Sequence, residues 1–524
     1  MGGICGFIGS RSFKSAVGAE TNRGQHVDVY LTAPMQKLRH RGPDGHGYST
    51  NNHSYFGHTR LAIHDAPNGR QPIYNENGSL FVMLDGEIYN YRELRKRLQN
   101  RHKFRTATDT EVVLHLYEEE GLAGLGKLDG MFAIVIGGND TAVLMRDPLG
   151  IKPLYYQKIK DGSGISYASE IKALDRKNGM IAEFPPGTVY TPEHGFRSYY
   201  KLPQEYDPDL TWDEALVQIR EILTRAIEKR LTKEVPLGCF LSGGLDSSLI
   251  SAIAAQLVPE LPTFSVSMKG SSDRGFALMA AKHLGTRHHE LIMNPRAMWQ
   301  IVPKVVYYLE SYDQYLVRSA VANYFLAEMA ADYVKVVLIG EGADELFAGY
   351  KYLARFADWN DLHRELRVIT TELRQSGLQR VDRMTMAHGL QARAPFLDVA
   401  MLELAMRIPP WFKRKNINCQ GTADSGNATE AVGITKWCLR EAFAGSDLLP
   451  EAIIQRGKEK FSEGTGAADI LAEYAERYVS DKNYADAIAK GVQVRSKEEF
   501  YYYQIYKSEF GQDSACNLVS RSRS

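Results

Sequence analysis

Short apolar runs fill the first two hundred residues, separated by polar turns and showing no helical spacing. ICGFIG (from Ile4), SYFGHTRLAIHD, LFVMLDGEIYN, GMFAIVIGG, AVLMRD and ISYASE are rich in β-branched or aromatic residues and punctuated by Gly, Asn and Asp. That is the pattern of strands bounded by turns. Two stretches, RELRKRLQN and DTEVVLHLYEEEG, read instead as helices, which predicts a layered α+β domain rather than a pure sandwich. EFPPG (183–187) and the polar SYYKLPQEYDPDLTWDEA after it mark a linker near residue 205. The predicted domains are therefore 1–205 and 206–524.

Beyond the linker, strand and helix patterns alternate: EALVQIREILTRAIEKRL, GCFLSGGLDSSLISAIAAQL, PTFSVSM, GFALMAAKHLG and KVVLIGEGADELFAGY. Alternation of this kind predicts a parallel sheet with helices on both faces, and ligands beyond the carboxyl ends of its strands. SGGLDSS and GEGADE both fall at such ends. Leu237–Leu241 reads as a buried strand, Ser242–Asp246 as a tight turn, and Ser247 onward as a helix. Amides freed by Gly243 and Gly244, with the helix N-terminus behind them, suit a polyphosphate. No Walker GxxxxGK[ST] string occurs. The last third is mainly helical, and its CQGTADSGNATEAVG segment (from Cys419) reads as a mobile loop.

Composition narrows the class. The chain has 524 residues, 44% hydrophobic and 24% charged, ordinary for a globular protein. Lys plus Arg equals Asp plus Glu at 63 each, so net charge points to neither nucleic acid nor an anionic membrane. The five cysteines (Cys5, Cys239, Cys419, Cys438 and Cys516) are scattered without CxxC spacing, which fits a reducing cytoplasm. No apolar run approaches the length that spans a bilayer, and no signal-peptide pattern is present.

Ten ordered strings carry a resemblance: MGGICGF, RHRGPDG, HTRLAI, DGEIYN, ATDTEV, RDPLGIKPLYY, SGGLDSS, GEGADELFAGY, RMTMAHGLQARAPFLD and RGKEKFSEG. Together they resemble a class II glutamine amidotransferase domain fused to an asparagine synthetase domain, the plan of the asparagine synthetase B family. The resemblance implies an Ntn-type αββα first domain and a PP-loop ATP pyrophosphatase second domain with a helical extension. It also implies activation of a carboxylate as acyl adenylate before an amine attacks, with ATP and Mg2+ as cofactors. Leu241, Ser242, Gly243, Gly244, Asp246, Ser247, Val266 and Gly340 match nucleotide-binding positions, with Val266 against adenine. Asp246 and Asp344 match magnesium ligands, hard oxygens suited to that ion. Lys458 matches a lysine that reaches the phosphates and the developing charge at the acyl centre. Glu341 matches a glutamate that takes a proton from the attacking amine. In the β-lactam synthetase branch a tyrosine stands there, so Glu341 favours joining two molecules over ring closure. Dimers are common among such relatives, so a homodimer is possible here.

The amidotransferase half departs from this family. Members that hydrolyse glutamine begin Met-Cys-Gly-Ile, and removal of Met frees a cysteine whose own α-amine activates the thiol. Gly2 stands in its place. Cys5 is displaced by roughly 10 Å along a strand and reads as a small buried hydrophobe. Where NGEIYN supplies an asparagine to the oxyanion, Asp85 precedes Gly86 and Glu87; a carboxylate there repels the oxyanion, and losing one such donor already costs about 3 kcal/mol. Arg60 and Asp109, which match the residues holding the glutamine carboxylate and amine, are kept. The expectation is a first domain that does not hydrolyse glutamine.

The acceptor stretch has changed too. ESYDQYLVRSA (310–320) aligns with ETYDVTT…RAS of asparagine synthetases, so Gln314, Tyr315 and Leu316 alter pocket volume and polarity and make aspartate doubtful. Ile339 replaces a small Ser before GEG. Gln391 replaces a glutamate, a change that either relieves a need to hold a substrate ammonium or belongs to packing. Arg318 either pairs with a substrate carboxylate or forms a structural ion pair. The leading reading is an ATP-dependent amide synthetase of specialised metabolism that joins a small carboxylic acid to ammonia or a small amine. A β-lactam synthetase-like cyclase, an asparagine synthetase using free ammonia, and a binding protein with a remnant ATP site are the alternatives.

Overall fold

The computed structural model describes residues 1–9, 30–51, 54–175, 177–415, 433–459, 461–511 and 518–521. Nearly all of the segment expected to be a mobile loop after Cys419 lies outside them.

The first domain is built on two six-stranded sheets. One holds β1 (Gly2–Gly9), β2 (Gly45–Thr50), β3 (Ser54–Arg60), β8 (Tyr155–Lys158), β9 (Gly164–Ala168) and β10 (Ile181–Glu183), in the order β10-β8-β9-β1-β3-β2. The other is β12-β11-β7-β6-β5-β4, with β4 (Ile73–Tyr74), β5 (Leu80–Ile88), β6 (Gly130–Gly138), β7 (Ala142–Arg146), β11 (Thr188–Thr191) and β12 (Gly195–Ser198). Strand alternation sorts β5 and β6 between two cores. Phe81, Met83, Ala133 and Val135 meet Ile4, Ile8 and Phe56 between the sheets, whereas Val82, Leu84, Ile134 and Ile136 face α2 (Tyr91–Leu98) and α3 (Thr110–Leu125). Burial on both faces explains why these two strands read as unbroken apolar runs. Helix α1 (Thr32–Lys37) packs beside β1 and completes the αββα layering.

The second domain opens with α4 (Trp212–Glu228), whose N-terminus is closed by a Thr211/Glu214 capping box. Its sheet has five parallel strands in the order β15-β14-β13-β16-β17: β13 (Leu237–Phe240), β14 (Pro262–Ser267), β15 (Arg287–Ile292), β16 (Val336–Leu338) and β17 (Gln391–Arg393). The chain winds outward from β13 through β14 and β15, then returns to its other side for β16. A crevice must open where the direction reverses, at the carboxyl ends of β13 and β16. Helices α5 (Leu245–Leu257), α6 (Ser272–Leu284), α7 (Pro295–Leu309), α8 (Gln314–Ala331) and α9 (Gly377–Met386) surround it, and α10 (Lys497–Phe510) packs on α7 and α8. Among the described residues no helix is long and apolar enough to cross a membrane.

Candidate active site

A cavity of about 570 Å³ occupies the crevice, within the range of small-molecule sites. Its walls include Leu241, Ser242, Gly244, Asp246 and Ser247 from the first loop, Val266 from β14, and Gly340, Glu341 and Asp344 from the second loop. Lys458 and Tyr315 reach it from distant segments. Gly243 does not line the cavity. It holds φ +75°, and a Cβ there would lie 2.3 Å from the Ala277 amide nitrogen, so glycine lets the turn pack under α6. Ser247 Oγ accepts from the Ser242 amide at 3.2 Å and lies 3.0 Å from Ser242 Oγ, closing the turn. Gly244 caps α5 without a side-chain acceptor, which suits a helix end that receives an anion.

Two carboxylates and two ammonium groups meet at the floor. Lys436 Nζ donates to Asp246 Oδ1 at 2.8 Å and Oδ2 at 2.6 Å, and lies 2.6 Å from Asp344 Oδ1. Lys458 Nζ donates to Asp344 Oδ2 at 2.6 Å. Burial opposes ionisation of Asp344, but Lys436 and Lys458 pull its carboxyl well below the usual range. Burial raises Asp246, with Lys436 opposing and Asp344 adding repulsion. Burial likewise works against the charge on Lys458, yet Asp344 and Asp246 hold it firmly protonated. The buried Asp344 Oδ1 has no aligned hydrogen bond although Lys436 is close. Two carboxylates converging here, with Asp344 Oδ1 lacking an aligned bond, offer the hard oxygens that a divalent ion completed by phosphate would take.

Lys436 was not legible beforehand. It stands outside every motif, and its backbone holds φ +55°, a left-handed conformation uncommon for lysine and found where function demands it. Glu345 was overlooked as a third acid in GEGADE. It is buried, accepts from Tyr350 Oη, and is pushed up to about 7 by burial and the Asp344 charge. Glu341 is held at the wall by an ion pair with Arg380.

At the acceptor end the structure places two residues with open readings. Arg318 is absent from the cavity wall; its guanidinium forks onto Glu498 of α10, with Nε 2.9 Å from Oε1 and Nη2 2.5 Å from Oε2. This is the ion pair of its structural reading. The Arg318 and Arg495 guanidinium carbons stand 6.0 and 5.6 Å from the Tyr315 ring centroid, fixing that ring as a stiff wall. Gln391 also lies away from the cavity. Its Nε2 donates to Glu87 of the first domain at 3.2 Å and its Oε1 accepts from Arg393 at 3.1 Å. A glutamate there would set two buried carboxylates side by side, so the substitution belongs to packing. Ile339 does line the cavity.

The corresponding pocket of the first domain is lined by Met1 itself. Met1, Arg60, Gly86, Glu87 and Asp109 line a space of about 10 Å³, room for about one water. Arg60 donates to the carbonyls of Ala66 at 2.9 Å and Asp65 at 3.0 Å. Asp109 accepts from the Ile88 amide at 2.8 Å, and burial beside Glu87 raises its carboxyl. Glu87 is buried between Arg393 and His64, which overcome desolvation and lower it to about 2; His64 in turn rises to about 9. Gly2 holds φ +149°, and a Cβ there would sit 1.6 Å from the Thr59 carbonyl oxygen, so this backbone does not admit cysteine. Cys5 is buried and free, its thiol pushed up to about 12 by desolvation, which makes it a poor nucleophile.

Asp85 has become part of a seam. Arg41 pairs with Asp85 at 3.0 Å, Glu170 at 2.9 Å and Asp382 of α9 at 2.7 Å. Lys152 reaches Asp382 at 2.7 Å, and Arg383 reaches Glu310 at 3.0 Å and Glu170 at 3.2 Å. Lys172 joins Glu170 at 2.6 Å to Glu310 at 3.0 Å. Four cations thus balance four carboxylates between the two sites.

A layered αββα domain ahead of a parallel sheet with an anion-binding turn and an acid–lysine floor is the plan of a nucleotide-using ligase. Residues 1–193 match the family description "Glutamine amidotransferase domain", and residues 218–361 and 354–521 match "Asparagine synthase". The glutamine-hydrolysing asparagine synthetase 2 of Arabidopsis thaliana is 36% identical over 92% of this chain and 84% of its own. The Asparagus officinalis enzyme of that description is 37% identical over 92% and 82%. A solved glutamine phosphoribosylpyrophosphate amidotransferase from B. subtilis is 21% identical, with TM-score 0.31, covering 50% of this chain and 65% of that one. The chain belongs to the asparagine synthetase family, ATP-dependent ligases that form AMP.

Proposed function

We propose that this protein adenylates a small carboxylic acid other than aspartate and passes the acyl group to ammonia or a small amine, without hydrolysing glutamine. A contrast between the two sites carries the reading: intact acids and lysines line a cavity of about 570 Å³ in the second domain, whereas the first has Gly2 where the nucleophilic cysteine would stand and Asp85 tied to Arg41. Asp246 and Asp344 would hold Mg2+, which when bound offsets phosphate charge. The first-loop amides and Ser242 bind the pyrophosphate end of ATP, and Val266 lies along the base. Lys458 stabilises charge growing at the phosphorus and the acyl oxygen. Glu341, released from Arg380, takes a proton from the amine nitrogen. Tyr315 and Ile339 shape the acid's pocket, which supports a substrate bulkier or less polar than aspartate.

A cytoplasmic setting and a role in specialised metabolism complete the proposal. Its test is pyrophosphate release with a panel of acids, trapping acyl adenylates with hydroxylamine. Release with acids other than aspartate, and no glutamate from glutamine, is the expected result. Aspartate as the best acid, or glutamate production above background, overturns it.

A further inference from the structure

Away from both pockets, three segments of the first domain converge: the β4–β5 turn, the stretch after α2, and the body of α3. Glu76, His102, His115 and Glu118 each bring one donor atom within 4.8 Å of the others. His102 Nδ1 lies 3.3 Å from Glu76 Oε1 and 3.7 Å from Glu118 Oε2. His115 Nδ1 lies 2.8 Å from Glu118 Oε2 and 3.9 Å from Glu76 Oε2. A tetrahedral zinc ion with bonds of about 2.0–2.1 Å separates its ligands by about 3.3–3.4 Å. The four separations straddle that edge length.

The outer groups are arranged for the same purpose. Each imidazole turns Nδ1 inward; His102 Nε2 meets Glu119 Oε1 at 3.2 Å, while Glu111 Oε1 stands 3.6 Å from His115 Nε2, which makes no hydrogen bond. A carboxylate behind the far nitrogen of a metal-bound histidine fixes tautomer and ring orientation. Glu118 Oε1 accepts from Asn75 at 2.7 Å, and Glu76 Oε1 accepts from the Lys103 amide at 3.0 Å, so neither carboxylate swings freely. The rings lie nearly parallel with centroids 4.4 Å apart. Protonating both to balance the acids would face two cations across that gap, whereas one shared divalent ion balances the acids without that repulsion.

We propose that Glu76, His102, His115 and Glu118 bind one divalent transition metal, zinc by preference, in a closed structural site. Two imidazoles with two carboxylates suit zinc better than magnesium or calcium, and four protein ligands leave no open position for catalysis. The metal ties the β4–β5 turn to α3, whose N-terminus carries Asp109. It braces the first domain.

The test uses untagged full-length protein, loaded with zinc, desalted, and assayed by elemental analysis and thermal unfolding. One zinc per chain is expected in the wild type and in Asp344→Asn, and none in His102→Gln or Glu118→Gln. Zinc at a hundredfold excess over Kd raises the wild-type midpoint by about 5–10 °C, and leaves both of those latter variants unchanged. Cobalt substituted for zinc gives an intense tetrahedral visible spectrum. Wild type that retains no zinc, zinc retained equally by His102→Gln, or a pale octahedral cobalt spectrum each overturns the proposal.

Discussion

The two pockets of this chain differ in room and in what their polar groups meet. In the second domain the loops after β13 and β16 leave a cavity of about 570 Å³ with charged groups exposed to it, and Asp246 and Asp344 are held at the floor by lysines. In the first domain equally polar residues, Arg60, Glu87 and Asp109, have turned to backbone and neighbouring charges, and about 10 Å³ remains. The same polar residue types therefore leave very different room according to what is folded against them.

The sharpest way to break this contrast is at the floor. Lys458→Met removes the group facing both phosphate and acyl charge, and pyrophosphate release should fall by about 10²–10³-fold with the fold intact; activity within tenfold of wild type would place the chemistry elsewhere. Next in size is the seam. Arg41→Met leaves Asp85, Glu170 and Asp382 buried without their shared cation, and should cost about 3–5 kcal/mol in denaturant unfolding. The exposed Arg364→Met, whose partner Asp361 is solvated, should change stability by under about 1 kcal/mol. Equal effects would show that the seam is not a buried unit.

A smaller effect comes from Glu345. Its carboxyl titrates near 7 when folded and near 4.5 when unfolded, so the folded state holds the extra proton between those values. Its contribution is full below about pH 4.5 and is lost as pH rises through 7. Glu345→Gln, which stays neutral and can still accept from Tyr350, should exceed the wild type in stability by about 2–3 kcal/mol at pH 8, the margin shrinking towards pH 5. A margin that does not vary with pH would remove Glu345 as the titrating group. The smallest expectation is no change at all: Gly2→Cys with Asp85→Asn should still release no glutamate from glutamine, because the closed pocket and the Thr59 carbonyl remain. Restored glutaminase would show that composition alone, and not closure, silenced the domain.

Much of this was readable along the chain because it is local. A strand, a small-residue turn and a helix are specified by neighbours a few residues apart, so SGGLDSS and GEGADE could be placed at strand ends, where ligands were expected to bind. Gly2 and Asp85 could be recognised as departures from the resembled family for the same reason. The two readings of Arg318 stayed open along the chain because its partner, Glu498, is 180 residues away, and those of Gln391 because Glu87 lies across the domain seam; Lys436 was missed because nothing beside it announces that its ammonium meets two aspartates.

What the amino-acid order determined by itself is the set of elements, their layering and the chemistry available at each strand end, since turn geometry and apolar periodicity act over short range. What only the tertiary structure decided is which charges meet. Electrostatic pairing depends on distance and burial rather than on position along the chain. The same aspartate can serve as a metal ligand, a seam or a dead acid according to what is folded against it.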